Sequence, residues 1–380
     1  MRELTDIVII GAGYGGMYAA RSLRRRLRGR ARITVINRSE DFVERIRLHQ
    51  YATGQHLREV SLASTLAGTG TRLVIGEVTA IDRAAQRIIV HTGESIAYDR
   101  LIIATGSFGT RPAGTHGVAA MTEAEVLRRR LEELDGGRVA VVGGGLTGIE
   151  MATELAEQRP DLRVQLITAD RLAHDLSQMA QRHLRGTLRR LRIELTEETE
   201  VRAEDAGWQL RTPSDVRGLN ADVIVWTTGF LASPLAAEAG LSTDDTGRVL
   251  VDDHLRSVTD PRIAAIGDAA AVLTVDQAPA RMSCQTTVPM GVTVAADVAR
   301  EIGGASRRRY RARFVWRNIS LGRNDAITQF SRFDDRPLPV ALVGRPAVLF
   351  KELISASVAR TATTQALRSS KNENVASGLS

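Results

Sequence analysis

Cysteine is all but missing from this chain: Cys284 stands alone among 380 residues. A single cysteine excludes an intrachain disulfide, and with it a catalytic Cys-x-x-Cys pair. Lysine is nearly absent as well, so the net charge of +7 is carried almost wholly by arginine. The basic residues are scattered, and runs such as Arg24-Arg25-Arg26 and Arg307-Arg308-Arg309 read as solvated faces. Aromatics amount to 4%, too few for a platform on which single-stranded nucleic acid stacks, so no nucleic-acid partner is expected. No apolar run reaches the length of a membrane-spanning helix. No leader pattern precedes the first strand, and the chain reads as cytoplasmic. The remaining composition, 43% hydrophobic and 25% charged, is that of an ordinary globular protein long enough for two or three domains.

Glycine is what the chain has in pattern. An apolar run at residues 7–10 reads as a buried parallel strand and leads directly into Gly11-x-Gly13-x-x-Gly16, then into a helix rich in Ala, Leu and Arg. The first glycine permits a tight turn, the second lets a pyrophosphate approach the backbone, and the third lets helix and strand pack closely. The free N–H groups at the helix start, around Tyr14 and Gly15, then face the phosphates. The same grammar returns at residues 138–150 with Gly143, Gly145 and Gly148, and with Leu146 and Thr147 opening the next helix. Two such turns in one chain imply two dinucleotides, most simply FAD at the first and NADH or NADPH at the second.

The strand that completes each βαβ unit should end in an acid that takes the ribose hydroxyls. At residues 32–37 the chain instead has Asn37, followed by Arg38; at residues 163–168 it has Thr168, with Arg171 close behind. An amide can still bind a ribose. Loss of the second acid removes both a ribose clamp and a repulsion, and Arg171 could take a 2′-phosphate, so NADH and NADPH both stay open.

Residues 40–54 are dense in polar groups and lack a clean period. Together with the two glycine turns around it, this segment resembles the FAD-dependent pyridine nucleotide oxidoreductases, in the branch of the type II NADH dehydrogenases. The resemblance implies that Arg47, His49 and Gln50 lie beside the flavin or the substrate, although His49 reads equally as a ring satisfying a buried carbonyl. It implies that the backbone of Val78, in an edge strand read over residues 72–81, meets the adenine. Ala104-Thr105-Gly106 and Thr228-Gly229 resemble the family's two crossovers between domains. Thr105 reads equally as a cap, and Trp226 and Phe230 as core. Glu150, on the first turn of the second helix, matches the acid that in this family points between nicotinamide and flavin. Gly267-Asp268, after a short apolar strand, matches the family's second flavin motif, with the aspartate on the ribityl chain. Cys284, Gln285 and Thr286 fall where the family borders the flavin and the quinone. Only Gln285 survives of its glutamine pattern, since Pro289 stands in the last glutamine's place. A helix is expected from about Gly291 to Ile302.

The fold implied is α/β, with two Rossmann-like domains of the glutathione-reductase type and a small α+β C-terminal region. The FAD domain takes residues 1–110 and 233–305, the NAD(P) domain 111–232, and the last region 306–380. That last region reads as strands at 311–316, 326–329 and 340–343, then a helix from the spacing of Leu349, Phe350, Leu353, Ile354 and Val358. The helix packs on its own domain or a second copy, or lies on a membrane surface; the tail from about Ala366 reads as disordered. The activity implied is hydride transfer from NAD(P)H to FAD and onward to a quinone-like small-molecule acceptor, with Glu150, His49, Gln50 and Gln285 as the catalytic candidates and no metal. The eroded acids and glutamines keep two rivals in view: direct oxidation or oxygenation of a secondary metabolite, and a redox-sensing role.

Overall fold

The structure, a computed structural model, describes residues 4–205, 207–303 and 309–363. Arg307, Arg308 and the tail from Ala366 lie outside the described residues. Two parallel sheets carry the chain. The first runs in the order Ile263–Ala265, Arg100–Ile103, Thr5–Ile10, Ala31–Asn37, Thr71–Ile75. Its first strand in sequence sits at the centre, paired in parallel with a neighbour on each side. The strand order therefore reverses at Ile10, where the first glycine turn begins, the point at which open α/β sheets take their ligands. The second sheet runs Glu194–Thr196, Leu162–Ile167, Gly137–Val142, Val223–Trp226, again with the glycine-turn strand inside. The chain is α/β with two Rossmann-like units, as expected.

The connections between the sheets lie side by side, since Ser107–Gly109 pairs antiparallel with Phe230–Ala232. Residues 72–81 are not one strand. Gly76 ends the sheet-edge strand by donating to the Asn37 carbonyl, and Val78–Asp82 starts a separate hairpin with Arg87–Val90. A Cβ at Gly76 would stand 2.5 Å from a Val90 methyl, so a side chain there would displace the hairpin. The polar stretch around His49 holds a short helix, Leu48–Ala52, whose Leu48 and Ala52 join the core of the second sheet. That placement brings His49 and Gln50 to the junction of the two units.

The helix after the flavin motif starts earlier than expected, at Cys284, and runs to Ile302 with Pro289 inside it. Ser283 caps it, accepting from the Gln285 N–H at 3.2 Å. Pro289, the sixth residue of the helix, has no N–H to give the Gln285 carbonyl, so the helix runs through it one ladder bond short. The C-terminal strands are Trp316–Ser320, Ala326–Ser331 and Pro337–Val343, so the expected strand at 311–316 moves onward to Trp316–Ser320. Pairing sets that register, with Trp316 opposite Phe330 and Ser320 opposite Ala326. The helix Arg345–Thr363 covers this sheet and also packs on the helix Tyr14–Leu27, where the Tyr18 hydroxyl donates to the Val358 carbonyl at 3.3 Å. Leu349 and Leu353 on the same helix face outward, 67% and 65% exposed. Among the described residues, no helix is long and apolar enough to cross a membrane.

Candidate active site

The two glycine turns are built alike. A Cβ on Gly16 would stand 1.9 Å from the Gly11 carbonyl oxygen, and one on Gly148 would stand 1.8 Å from that of Gly143. Neither position admits a side chain, because the helix start lies directly on the turn. Gly13 and Gly145 differ: a Cβ there would meet nothing, so both face open space that a phosphate could enter. Each is the N-cap of its helix with no side-chain cap, which leaves the first N–H groups of Tyr14–Leu27 and Leu146–Gln158 available to an anion.

Asn37 is used differently from the acid it replaces. Its Oδ1 accepts the Ala12 N–H at 2.9 Å and its Nδ2 donates to the Ser39 carbonyl at 2.8 Å, so the amide braces the first turn. Arg38 is exposed and pairs with Glu77 at 3.7 Å. In the second unit Thr168 is buried beneath Gly144, whose Cβ would stand 2.3 Å from its hydroxyl. The brace of the second turn is Thr227, which sequence reasoning passed over for its neighbour: its Oγ1 donates to the Val142 carbonyl at 2.9 Å, while Thr228 is exposed. Thr147, Thr228 and Phe230 line a small recess between the crossovers.

Several buried polar atoms have no hydrogen-bond partner. The Tyr14 hydroxyl, Thr105 Oγ1, His49 Nε2 and Gln285 Nε2 are all buried and unbonded. Thr105 therefore caps nothing, and His49 Nε2 satisfies no carbonyl. Orphaned buried polar atoms of this kind are rare unless a ligand completes them. Asp268 accepts from the Ser107 hydroxyl at 2.8 Å and lies 4.0 Å from the Arg45 guanidinium, which itself sits over the Phe230 ring. Cys284 is reachable from solvent but walled by protein; burial, with Asp268 nearby, pushes its thiol up to about 12 and keeps it protonated. Thr286 Oγ1 donates to the Ser283 carbonyl, and the Thr286 carbonyl accepts from the Tyr310 hydroxyl.

Arg47, expected beside the flavin, has its guanidinium bound by protein groups. Its guanidinium is engaged by Glu44 at 3.2 Å, Gln50 at 3.3 Å and, across the molecule, Glu352 at 2.6 Å. It ties the C-terminal helix to the first unit, and Gln50 serves that tie as an acceptor. Arg171 is exposed, and Val78 opens its hairpin in register with Val90.

Glu150 is the centre of the charged cluster. Its Oε1 accepts from Lys351 Nζ on the C-terminal helix and from the Ser320 N–H at 3.0 Å, and Lys351 also donates to the Ser320 hydroxyl at 2.6 Å. Burial pulls the Glu150 carboxyl upward, but the Lys351 ammonium outweighs it and holds the group below the usual carboxylate range. His49, buried nearby, is driven the other way: burial takes its ring down to about 4, against the pull of Glu150, so it is neutral at pH 7. Lys351 escaped sequence reasoning because it lies 201 residues from its partner. One signal could have flagged it: it is one of two lysines in a chain whose basic residues are otherwise all arginine. Among the described residues, no cluster of His, Cys, Asp and Glu could hold a metal.

Residues 5–299 match the family model of the pyridine nucleotide-disulphide oxidoreductases. An NADH dehydrogenase-like protein of Mycobacterium tuberculosis is 32% identical over 329 residues, covering 79% of this chain and 81% of that one. The type II NADH:quinone oxidoreductase of Staphylococcus aureus is 25% identical over 391 residues, with 93% and 94% covered. The solved sulfide:quinone oxidoreductase of Aquifex aeolicus superposes with a TM-score of 0.82 at 18% identity, over 95% of this chain and 92% of that one. The chain belongs to the pyridine nucleotide-disulphide oxidoreductase family, in its NADH dehydrogenase-like branch. It is an FAD-dependent NAD(P)H oxidoreductase, and the open glycine turns and orphaned polar atoms fit those cofactors.

Proposed function

We propose that this enzyme passes the electrons of NAD(P)H through FAD to a quinone. On this reading residues 1–110 and 233–305 hold FAD, residues 111–232 hold NAD(P)H, and the C-terminal region brings Lys351 to their junction. The observation that carries it is the Glu150–Lys351 pair, which joins the helix of the second glycine turn to the C-terminal helix beside the orphaned atoms of the first.

Bound FAD supplies a two-electron carrier between the two substrates. The chain's own residues bind, orient and handle protons. The N–H groups that open Tyr14–Leu27 and Leu146–Gln158 hold the two pyrophosphates, and the braces at Asn37 and Thr227 keep those turns closed. The Tyr14 hydroxyl, Thr105 Oγ1, His49 Nε2 and Gln285 Nε2 offer hydrogen bonds along the flavin cleft. Glu150, kept ionised, accepts hydrogen bonds and can hold a carboxamide in register. Lys351 carries a proton at Nζ that a reduced acceptor can take. A lone cysteine without a partner thiol rules out the dithiol chemistry from which the family is named. A quinone meets the remaining requirement, an apolar acceptor of two electrons and two protons, and two of the relatives described above are named for reducing one. The outward Leu349 and Leu353 would let the C-terminal helix rest on the bilayer that dissolves such an acceptor.

The test is oxidation of NADH and of NADPH by the purified holoenzyme, without oxygen, with and without ubiquinone-1. Quinone-dependent turnover with either nucleotide is expected. Oxidation that needs oxygen, or none at all, would overturn the assignment of the acceptor.

A further inference from the structure

The reaction proposed above leaves a proton to be supplied. NAD(P)H, a quinone and one H⁺ give NAD(P)⁺ and the quinol: the hydride brings two electrons and one hydrogen, and the second hydrogen of the quinol comes from solvent. Glu150 and Lys351 are each only 13% exposed, so that proton must cross protein to reach them.

The helix Leu146–Gln158 carries three acids on one face at i, i+4 and i+7: Glu150, Glu154 and Glu157. Glu154 is fully buried, at 0% exposure. Its Oε1 accepts from the side-chain amide of Gln55, while its Oε2 is buried with no partner. Glu157, one turn further on, is half-buried and accepts from the Arg323 N–H and from Asn324 Nδ2, the latter at 3.0 Å. The charged groups that act on Glu154 are Glu150 and Glu157 on its own helix and Arg323 on the turn after Ser320; His49, on the packed helix Leu48–Ala52, and Lys351, on the C-terminal helix, act on Glu150. The row thus runs from the half-buried end of the helix to the Glu150–Lys351 pair, with a buried, half-bonded carboxyl in the middle.

We propose that Glu154 is the proton-relay residue of this site, loading from solvent by way of Glu157 and passing its proton to the Glu150–Lys351 pair. The inference rests on the quinone reading above. No bond but O–H and N–H is made or broken: a proton on Glu154 Oε2 moves toward Glu150, and a solvent proton replaces it. The environment suits the task. Burial, with Glu157 and Glu150 adding to it against Arg323 and Gln55, pushes the Glu154 carboxyl up to about 7, so both protonation states are populated in neutral solution.

The test uses the holoenzyme and the variant Glu154→Gln, which keeps the size of the group and an acceptor for Gln55 but cannot exchange a proton. An infrared pH titration of the resting protein should show a protonated-carboxyl band that disappears as pH rises through about 7 and is missing from E154Q; this readout needs no turnover. In stopped flow, bleaching of the flavin by NAD(P)H should stay within about twofold of wild type. Reoxidation by ubiquinone-1 at neutral pH should slow by about tenfold or more, the usual scale for a lost proton-transfer group. A band that persists in E154Q, or reoxidation at the wild-type rate, overturns the proposal. Should E154Q lose its flavin, Glu157→Gln decides by the same reoxidation assay, expected slower and overturning if unchanged. A wild type that is bleached but not reoxidised by quinone removes the parent reading and this relay with it. A failed relay alone shows as normal reoxidation in the variants.

Discussion

Lys351→Met removes the cation from the Glu150 cluster while keeping an unbranched side chain of similar length. The pair is buried, each partner 13% exposed, so solvent screens it little. Taking away one partner of such a pair leaves a charge in the interior, which costs about 3–5 kcal/mol. The cost depends on pH, and its sign follows from Glu150. In wild type the carboxyl is held below its ordinary range, so the pair contributes stability above that range and loses it as pH falls through the depressed value. In K351M burial acts unopposed by Lys351 and raises the group; the penalty is full at pH 8 and fades on acidification as Glu150 takes a proton. Urea unfolding of the holoenzyme at pH 8 and pH 5 measures both. Removing the carboxylate too, in the double variant E150Q/K351M, should recover most of the loss, because two neutral groups replace one stranded charge. Lys351→Arg should recover only part of it, since a flat guanidinium does not fit the space of a compact ammonium that also donates to Ser320. A K351M protein within about 0.5 kcal/mol of wild type at pH 8 would refute the reasoning, as that is the range of ordinary surface changes.

Other outcomes follow from the same geometry. Gly16→Ala puts a methyl 1.9 Å from the Gly11 carbonyl oxygen, so the purified protein should lose its flavin absorbance; Gly148→Ala, with 1.8 Å at Gly143, should keep the flavin and lose reduction by NAD(P)H. Glu154 is a carboxyl raised from 4.5 to about 7, so its burial costs stability that is absent below 4.5 and complete above about 7. That difference is worth at most about 3 kcal/mol, and E154Q should gain stability over wild type between pH 5 and pH 8 in denaturant melts. His49 has the opposite window: its ring is lowered from 6.5 to about 4, so wild type loses stability as pH falls across that interval, and His49→Gln should flatten that part of the curve. The Cys284 thiol, pushed up to about 12, should alkylate slowly with iodoacetamide at neutral pH despite being reachable, and faster as pH rises.

The readable parts of the molecule were those whose cause is local. A strand, a glycine turn and a helix start lie within a dozen residues, and the steric demand at Gly11 and Gly16 is written in the same stretch that suffers it. The Gly267-Asp268 motif was readable for the same reason. What escaped was set by partners far along the chain. Lys351 gains its meaning only when the C-terminal helix meets Glu150, and the Arg47 tie to Glu352 joins residues 305 apart in the chain. The strand expected at 311–316 moved because pairing with Ala326–Ser331 sets the register, not the run of aromatics and arginines itself. The helix expected from about Gly291 starts at Cys284 instead, because Ser283 caps it there, and Gly291 sits inside it against the Gly15 carbonyl oxygen, from which a Cβ would stand 2.6 Å.

The central claim is that two dinucleotide sites work on one another through a flavin, and mixing the purified yellow protein anaerobically with NADH, then separately with NADPH, tests it most directly. The flavin absorbance should bleach rapidly with at least one nucleotide and recover on adding ubiquinone-1. A flavin that neither nucleotide bleaches would contradict it, and would leave the second glycine turn without a working hydride donor.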